Sequence, residues 1–571
     1  MLVAMYVERV PNRTSPPAIL LREAWREHGR VRKRTLANLT GWPTARIEAL
    51  RRVLRDEPLV RADEVFTIET SLPHGHVEAL LGVIRRLGVD TLLATKRSRA
   101  RDLVLAMIVE RLIHPCSKLA TTRLWSTTTL GDSLGVADAD VDELYAALDW
   151  LLARQPTIEQ KLARRHLAEG GLVLYDVSST YYEGRTCPLA RFGHDRDGKT
   201  GMPIIVYGVM TDAVGRPVAT EVYAGNVGDP TTVPDQVEML RARFGLAEVV
   251  LVGDRGLLTQ TQLEHLKTYP GLGWISALRS PAIRALVESG TLQLSLFDQQ
   301  HLAEITAPAY PGERLIVCVN PRLADERRRK REDLLAATER ALTTLARAAA
   351  RRTRTPLDDA TLGQKVGRII NHYKMAKHFA VTIGGGRVTW TRRADSIQQE
   401  TQLDGFYVIR TSVAASHLSA ADAVRHYKGL ARVERAFRCL KGIDLRVRPI
   451  HHRTEDHVRA HIFLCLLAYY VEWHLRQAWA PLLFADEALE TDRQTRDPVA
   501  PATASTHGRR KKVARHTPDG LPLHSFSTLL AALATRAAHT CRLRSDPTAA
   551  PVRQLTPPSP LQARALKLLG L

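Results

Sequence analysis

Apolar residues change their spacing along the chain, and the changes mark its organisation. Between about His76 and Leu167 they recur at helical intervals, as Leu103, Met107, Ile108 and Leu112 do in Asp102–Ile113 and Leu144, Leu148, Leu151 and Leu152 do in Val141–Leu152. That periodicity predicts an all-α domain. From Leu172 the runs become short. Leu172–Val177, then Ile204–Thr211 and Pro217–Tyr223 flanking the turn Asp212–Arg216, read as three consecutive antiparallel strands. A helix at about Val233–Phe244, the run Val249–Val252, a helix near Thr259–Thr268 and the strand-like Trp274–Leu278 follow.

This β-β-β-α-β-α-β order predicts a mixed sheet with helices packed on it, as in an RNase H-like core. Residues 281–400 interrupt it. There, strand-like pieces (Ala303–Ile305, Arg314–Val319, Phe379–Ile383, Arg387–Trp390) surround a charged helix from about Ala324 to Ala350 that carries Arg327-Arg328-Arg329-Lys330-Arg331. That run suits either a solvated helix face or a DNA-backbone contact. Gly384-Gly385-Gly386 reads as a turn between strands. After the strand-like Asp404–Ser412, helical pattern runs from Ala420 to about Gln477.

The ends differ in texture. Residues 1–70 read as a small basic module with extended runs at Leu2–Val10 and Val31–Leu39 and a helix after Pro43. Ile47, Leu50 and Leu54 line one face of that helix, with Arg46, Arg51, Arg52 and Arg55 mostly elsewhere. Thr491–Pro522, rich in Thr, Pro, Ala and Arg, reads as a flexible basic linker, followed by a helix at Ser525–Leu543. The expected organisation is therefore 1–70 basic module, 71–168 helical DNA-binding or dimerisation domain, 169–280 first part of the core, 281–400 β-rich α+β insertion, 401–480 second part of the core, and 481–571 linker and terminal helix.

Composition adds a partner class. The 571 residues carry 81 Lys and Arg against 60 Asp and Glu, a net charge of +21. With 44% hydrophobic residues the chain has a core to bury, which excludes wholesale disorder. Such an excess of positive charge points to a polyanion, foremost nucleic acid, or to a solvated basic surface. The longest apolar stretch, Ile462–Val471, is half of what crosses a bilayer, and Met1–Val10 lacks the basic n-region of a signal peptide, so a soluble cytoplasmic protein is expected. Six cysteines without a Cys-x-x-Cys pair argue against a disulfide framework and a thiolate zinc site.

Three acids stand where chemistry needs them. Asp176 ends an apolar run in Leu174-Tyr175-Asp176-Val177-Ser178-Ser179-Thr180, where an unpaired carboxylate faces a burial cost. Asp254 ends another in Val252-Gly253-Asp254-Arg255-Gly256, at the carboxyl edge of the sheet where α/β folds place ligands. Each could instead cap the following turn. The third is Glu434. In one continuous helix over Tyr427–Lys441, Leu430, Val433, Phe437 and Leu440 share an apolar arc of about 80°, and Tyr427, Glu434, Arg438 and Lys441 an adjacent arc of about 60°. From Arg425 to Arg453 nine Lys or Arg surround Glu434 and Asp444, which suits a phosphodiester strand laid beside the glutamate, or simple ion pairing. Three converging carboxylates are either partly protonated or occupied by metal, and an oxygen-only donor set favours Mg²⁺ or Mn²⁺.

This constellation resembles the bacterial insertion-sequence transposases of the DDE type. The resembling residues are Tyr175–Thr180, Val252–Gly256 and Tyr427-x6-Glu434-x6-Lys441, supported by Asp404-Gly405-Phe406-Tyr407 and Tyr223-Ala224-Gly225-Asn226, over roughly 170–475. The resemblance implies an RNase H-like core interrupted by an insertion domain, with Asp176, Asp254 and Glu434 holding two divalent ions. It also implies that Tyr427 and Lys441, of the family's Tyr-Arg-Glu-Lys signature, contact DNA phosphates. The signature arginine is replaced by Leu430. Arg432, Arg435, Arg438, Arg446, Arg448 and Arg453 complete the expected DNA contacts. The implied activity is cleavage of element ends and strand transfer to target DNA by a homodimer on DNA, without a small-molecule cofactor. The alternatives are an RNase H-like nuclease that joins no strands and a catalytically dead transposase-derived DNA-binding protein. Among other candidates, His451, His452, His457 and His461 cluster, with His457 and His461 at an i,i+4 spacing compatible with zinc, but without a His-Glu-x-x-His motif or an acid in the right place. Asp195 and Asp197 in Gly193–Gly198 read as a solvated turn.

Overall fold

The computed structural model describes residues 4–13, 15–57, 65–297, 301–352, 354–544 and 546–571. They form two units, one from Met1–Leu72 with Ala537–Pro557, the other from Pro73–Arg536 with Pro558–Leu571.

In the first unit, β1 (Ala4–Val10) pairs antiparallel with β2 (Ala18–Glu27), and β2 with β3 (Arg30–Asn38). The expected run Leu2–Val10 is β1; its residues Leu2 and Val3 lie outside the described residues. The helix Thr44–Val53 buries Ile47 and leaves Arg51 and Arg52 in its last turn. β4 (Phe66–Pro73) belongs to a second sheet, completed below.

The second unit is built on one eight-stranded sheet. Its strands are β5 (Gly171–Tyr181), β6 (Ile204–Asp212), β7 (Pro217–Ala224), β8 (Val249–Val252), β9 (Leu272–Ala277), β10 (Leu302–Ile305), β11 (Arg314–Val319) and β14 (Phe406–Thr411), separate from the hairpin β12 (Phe379–Gly384) and β13 (Arg387–Arg392). The order is β10-β11-β14-β9-β8-β5-β6-β7. β5, β6 and β7 are antiparallel, β8 and β9 run parallel to β5, and β14, β11 and β10 continue antiparallel. The three strands and two parallel partners follow the order read from the sequence.

The helix Glu455–Ala478 packs on β7 and on the helices Arg99–Ile113 and Val141–Leu152. One hydrophobic core therefore runs from Val77 through the sheet to Leu569, across the expected boundary at 168. The helices before β5 are all-α as expected, yet they are a layer of this unit.

Three expectations change. β10 and β11, assigned to an insertion, extend the central sheet, because the apolar run Leu315–Cys318 is buried as a central strand must be. What stands apart is the helix Pro321–Ala350, the helix Asp359–Tyr373 and the β12–β13 hairpin, sharing a small core of Leu335, Leu342, Leu362, Val366, Phe379 and Val388. The hairpin turns at Gly385 and Gly386, both at positive φ, as a two-residue turn of matching twist demands. The segment 491–522 is not a flexible linker: it holds most of the helix Leu489–Thr495 and the whole of Thr506–Ala514, and Asp486 accepts from the Ser505 backbone N–H at 2.7 Å. Finally, the terminal helix stops at Ala534, and Ala537–Leu543 is instead β15, which pairs with β16 (Val552–Leu555) and lies beside β4 in the first unit. That pairing spans nearly the whole chain, so no local pattern announces it.

Candidate active site

Parallel pairing puts two of the acids side by side. β5 and β8 are in register from Gly171↔Val249 to Leu174↔Val252. β8 ends there, whereas β5 continues to Tyr181, so Asp176 and Asp254 each stand two residues beyond the last pair. Asp176 is thus not strand-terminal as expected; it lies in mid-strand, opposite Val209 of β6, at the point where its parallel neighbour stops. Burial pushes its carboxyl up to about 7, and the charges of Asp254 and Asp229 add to this against the Val177 N–H and Arg196. Asp254 Oδ1 accepts from the backbone N–H groups of Gly256 (2.9 Å) and Leu257 (2.7 Å), so it does cap its turn while its carboxylate stays exposed.

Glu434 arrives on the helix Ala431–Lys441, which buries Val433, Ala436, Phe437 and Leu440 against β5 and β6. Phe437 meets Tyr207 of β6 edge-on at 5.6 Å. The expected continuous helix from Tyr427 is broken: one helix covers Ala420–Lys428, the next starts at Ala431, and Leu430 caps it from inside the core. A Cβ on Gly429 would stand 2.7 Å from the His426 carbonyl oxygen, so the joint needs glycine. Tyr427 and Glu434 consequently face the same region from two helices. Burial raises the Tyr427 phenol to about 12, and Asp254, Asp176 and Glu434 all raise it further against Arg255. The Tyr427 hydroxyl thus feels the charge of all three carboxylates.

They are gathered loosely. Among the described residues, the one group of three His, Cys, Asp or Glu whose ligand atoms lie within 4.8 Å of one another is Cys439, Asp444 and Glu472. Arg476 already occupies that group, donating to Glu472 Oε1 (2.6 Å) and Asp444 Oδ2 (3.0 Å).

The basic residues divide into two sets. Arg435, Arg438, Arg446 and Arg453 are exposed and have no ion pair among the described residues. Arg432 donates to the Ala213 carbonyl and to Glu490 (2.6 Å). Lys441 Nζ lies 3.0 Å and Arg448 Nη1 2.5 Å from Asp197 Oδ1. Asp197 is therefore a buried ion-pair hub and not part of a solvated turn. The rings of His457 and His461 gather on His452, at 6.2 and 4.9 Å between centroids, but each has another partner: His461 Nε2 pairs with the Val447 carbonyl (3.0 Å), and His457 faces Asp149 (3.2 Å).

Sequence reading missed Asp229 and Arg196, which pair with each other beside Asp176. Asp229 follows the quoted Tyr223–Asn226 by three residues, and an acid so soon after that motif was the available signal.

No helix among the described residues is long and apolar enough to cross a membrane. Residues 190–471 match the family model for the transposase DDE domain, and residues 7–63 match that for the N-terminal domain of IS1634 family transposases. The first span contains Asp254 and Glu434 and begins after Asp176. Among solved structures, the piggyBac transposase synaptic complex with hairpin DNA aligns over 77% of this chain and 86% of that chain at 11% identity, with a TM-score of 0.24 that supports no structural argument. No curated protein matches the chain. With both family models matched in chain order, the protein belongs to the insertion-sequence transposases of the DDE type.

Proposed function

We propose that the protein binds the inverted-repeat ends of its element, cuts the DNA there and transfers the resulting 3′ ends to target DNA, acting as a homodimer on DNA in the cytoplasm. The observation that carries this reading is that Asp176 and Asp254 stand side by side just beyond the last β5–β8 pair, with the Glu434 helix packed on β5 and β6. The strand order, three antiparallel strands with two parallel partners, supports an RNase H-like core. The Pro321–Ala350 and Asp359–Tyr373 helices with their hairpin form the inserted domain.

The donor set fits divalent cations. It offers carboxylate oxygens alone, and a half-buried Asp176 that holds its proton up to about 7 beside two more acids is a place where a cation offsets charge that solvent does not. Asp176, Asp254 and Glu434 would hold the ions. When bound, two Mg²⁺ or Mn²⁺ ions supply activation of a water or 3′-hydroxyl and stabilisation of the leaving oxygen. The chain's own contribution is orientation. β5 and β8 fix two carboxylates at one level, and the packed Glu434 helix presents the third.

Tyr427, Arg432, Arg435, Arg438, Lys441, Arg446, Arg448 and Arg453 hold the DNA backbone beside the acids, with Lys441 and Arg448 becoming available once released from Asp197. Replacing Asp176, Asp254 or Glu434 by Ala should abolish cleavage of an end-containing duplex while leaving its binding within about twofold. Retained cleavage in all three variants would sink the reading. Precut ends supplied with a target plasmid should give joined products; hydrolysis without joining would make the protein a nuclease instead.

A further inference from the structure

The loop Gly193–Gly198 lies between the strand of Asp176 and the helix of Glu434 and is tied to both sides. Arg196 pairs with Asp229, and its N–H donates to Ser179 Oγ of β5 at 3.2 Å. One residue on, the Asp197 carboxylate faces Lys441 at the end of the Glu434 helix, and Arg448 beyond it. The Asp197 side chain is 4% exposed, that of Lys441 11% and that of Arg448 27%. The two cations therefore have little surface to offer, unlike Arg435, Arg438, Arg446 and Arg453.

Asp197 is also incompletely bonded. Its Oδ2 is buried without a hydrogen-bond partner. A carboxylate kept only for structure is normally satisfied on both oxygens. An ammonium and a guanidinium that converge on one anionic oxygen are an arrangement a phosphate fills equally well, and a phosphate has more acceptor oxygens to give. The loop has hinges for an exchange, since Gly198 and Gly201 sit at positive φ with open space where a Cβ would be. The Arg196–Asp229 pair anchors its near end.

We propose that Asp197 stands in for a DNA phosphate against Lys441 and Arg448, so that these cations engage DNA only where a backbone phosphate takes the carboxylate's place. Asp197 is thereby a specificity-determining residue: DNA that presents no phosphate at that position leaves the pair closed and binds through the exposed arginines alone. The inference rests on the reading of Lys441 and Arg448 as phosphate contacts.

The test measures binding of a duplex of arbitrary sequence across a range of salt, in the full-length protein. Asp197→Asn should bind about tenfold tighter, with the log–log salt slope steeper by up to about 0.9 for each freed cation. The gain should vanish when Lys441→Gln and Arg448→Gln are added. Asp197→Ser serves as a second variant, and melting curves check that both fold. In the unaltered protein, the Asp197 amide should exchange hydrogen faster when saturated with end DNA. Unchanged or weaker binding by both Asp197 variants, or unchanged exchange, overturns the inference while the phosphate-contact reading stands, provided Lys441→Gln and Arg448→Gln flatten the slope for end DNA. If those two substitutions leave that slope untouched, the reading itself fails and takes the inference with it.

Discussion

His76, His452 and His461 sit inside the helical layer. Burial, followed by neighbouring imidazoles or cations, lowers the first to about 4, the second to about 3 and the third well below its ordinary value. Their protons are bound more readily by the unfolded chain, so stability contributed by the neutral rings falls as pH drops below about 6.5, by up to about 1.4 kcal/mol per pH unit for each. Glu159 and Glu472 act in the opposite sense. Burial raises both to about 7, so their contribution is full below the ordinary glutamate range and fades as pH rises through about 7. His452→Gln should flatten the acid limb of urea-measured stability between pH 6.5 and 4 by up to about 1.4 kcal/mol per unit. An unchanged limb would mean the ring charges without cost. Asp176 and Asp254 were legible in the sequence because an acid closing an apolar run conflicts with its surroundings. Asp197 was not, since its meaning depends on Lys441 and Arg448, far along the chain.

At the scale of elements, the arginine run of the long helix resolves into two roles. Arg331 donates to both oxygens of Asp404, at 2.9 and 2.5 Å, and both side chains are buried; Arg327 donates to the Phe406 carbonyl at 3.2 Å. Arg328, Arg329 and Lys330 are outside this seam. The helix is thus clamped to the start of β14, the strand that leads into the Tyr427 and Glu434 helices. Arg331→Met should destabilise by about 3–5 kcal/mol by stranding the Asp404 charge, and adding Asp404→Leu should recover most of it. Denaturant midpoints decide, and additive losses would show that the pair is not coupled. The central strands were legible because period-2 and fully apolar runs of this length have few other uses. The break at Gly429 was not, because a glycine inside a helical pattern is as often tolerated as decisive.

On the scale of the whole molecule, the chain leaves its larger unit after Arg536, contributes β15 and β16 to the smaller one, and returns at Pro558. The returning helix Pro560–Leu568 accepts the buried Trp479 Nε1–H through the Ala565 carbonyl at 3.0 Å. Truncation after Pro557 should lower the melting transition of the larger unit by a few degrees, for a loss of about 2 kcal/mol, and spare the smaller one. Truncation after Thr535 should lower both. Scanning calorimetry distinguishes these outcomes, and a smaller unit unaffected by the second cut would contradict the shared sheet.

That shared sheet also sets a schedule. β4 leaves the ribosome long before β15, and at typical synthesis rates the interval is on the order of half a minute to a minute and a half. During that interval the larger unit has most of its chain available to fold, while the sheet of β4, β15 and β16 lacks two of its three strands. The basic module therefore reaches its full form only after β15 and β16 have been made, and a polypeptide interrupted before them carries Asp176, Asp254 and Glu434 without a finished N-terminal unit.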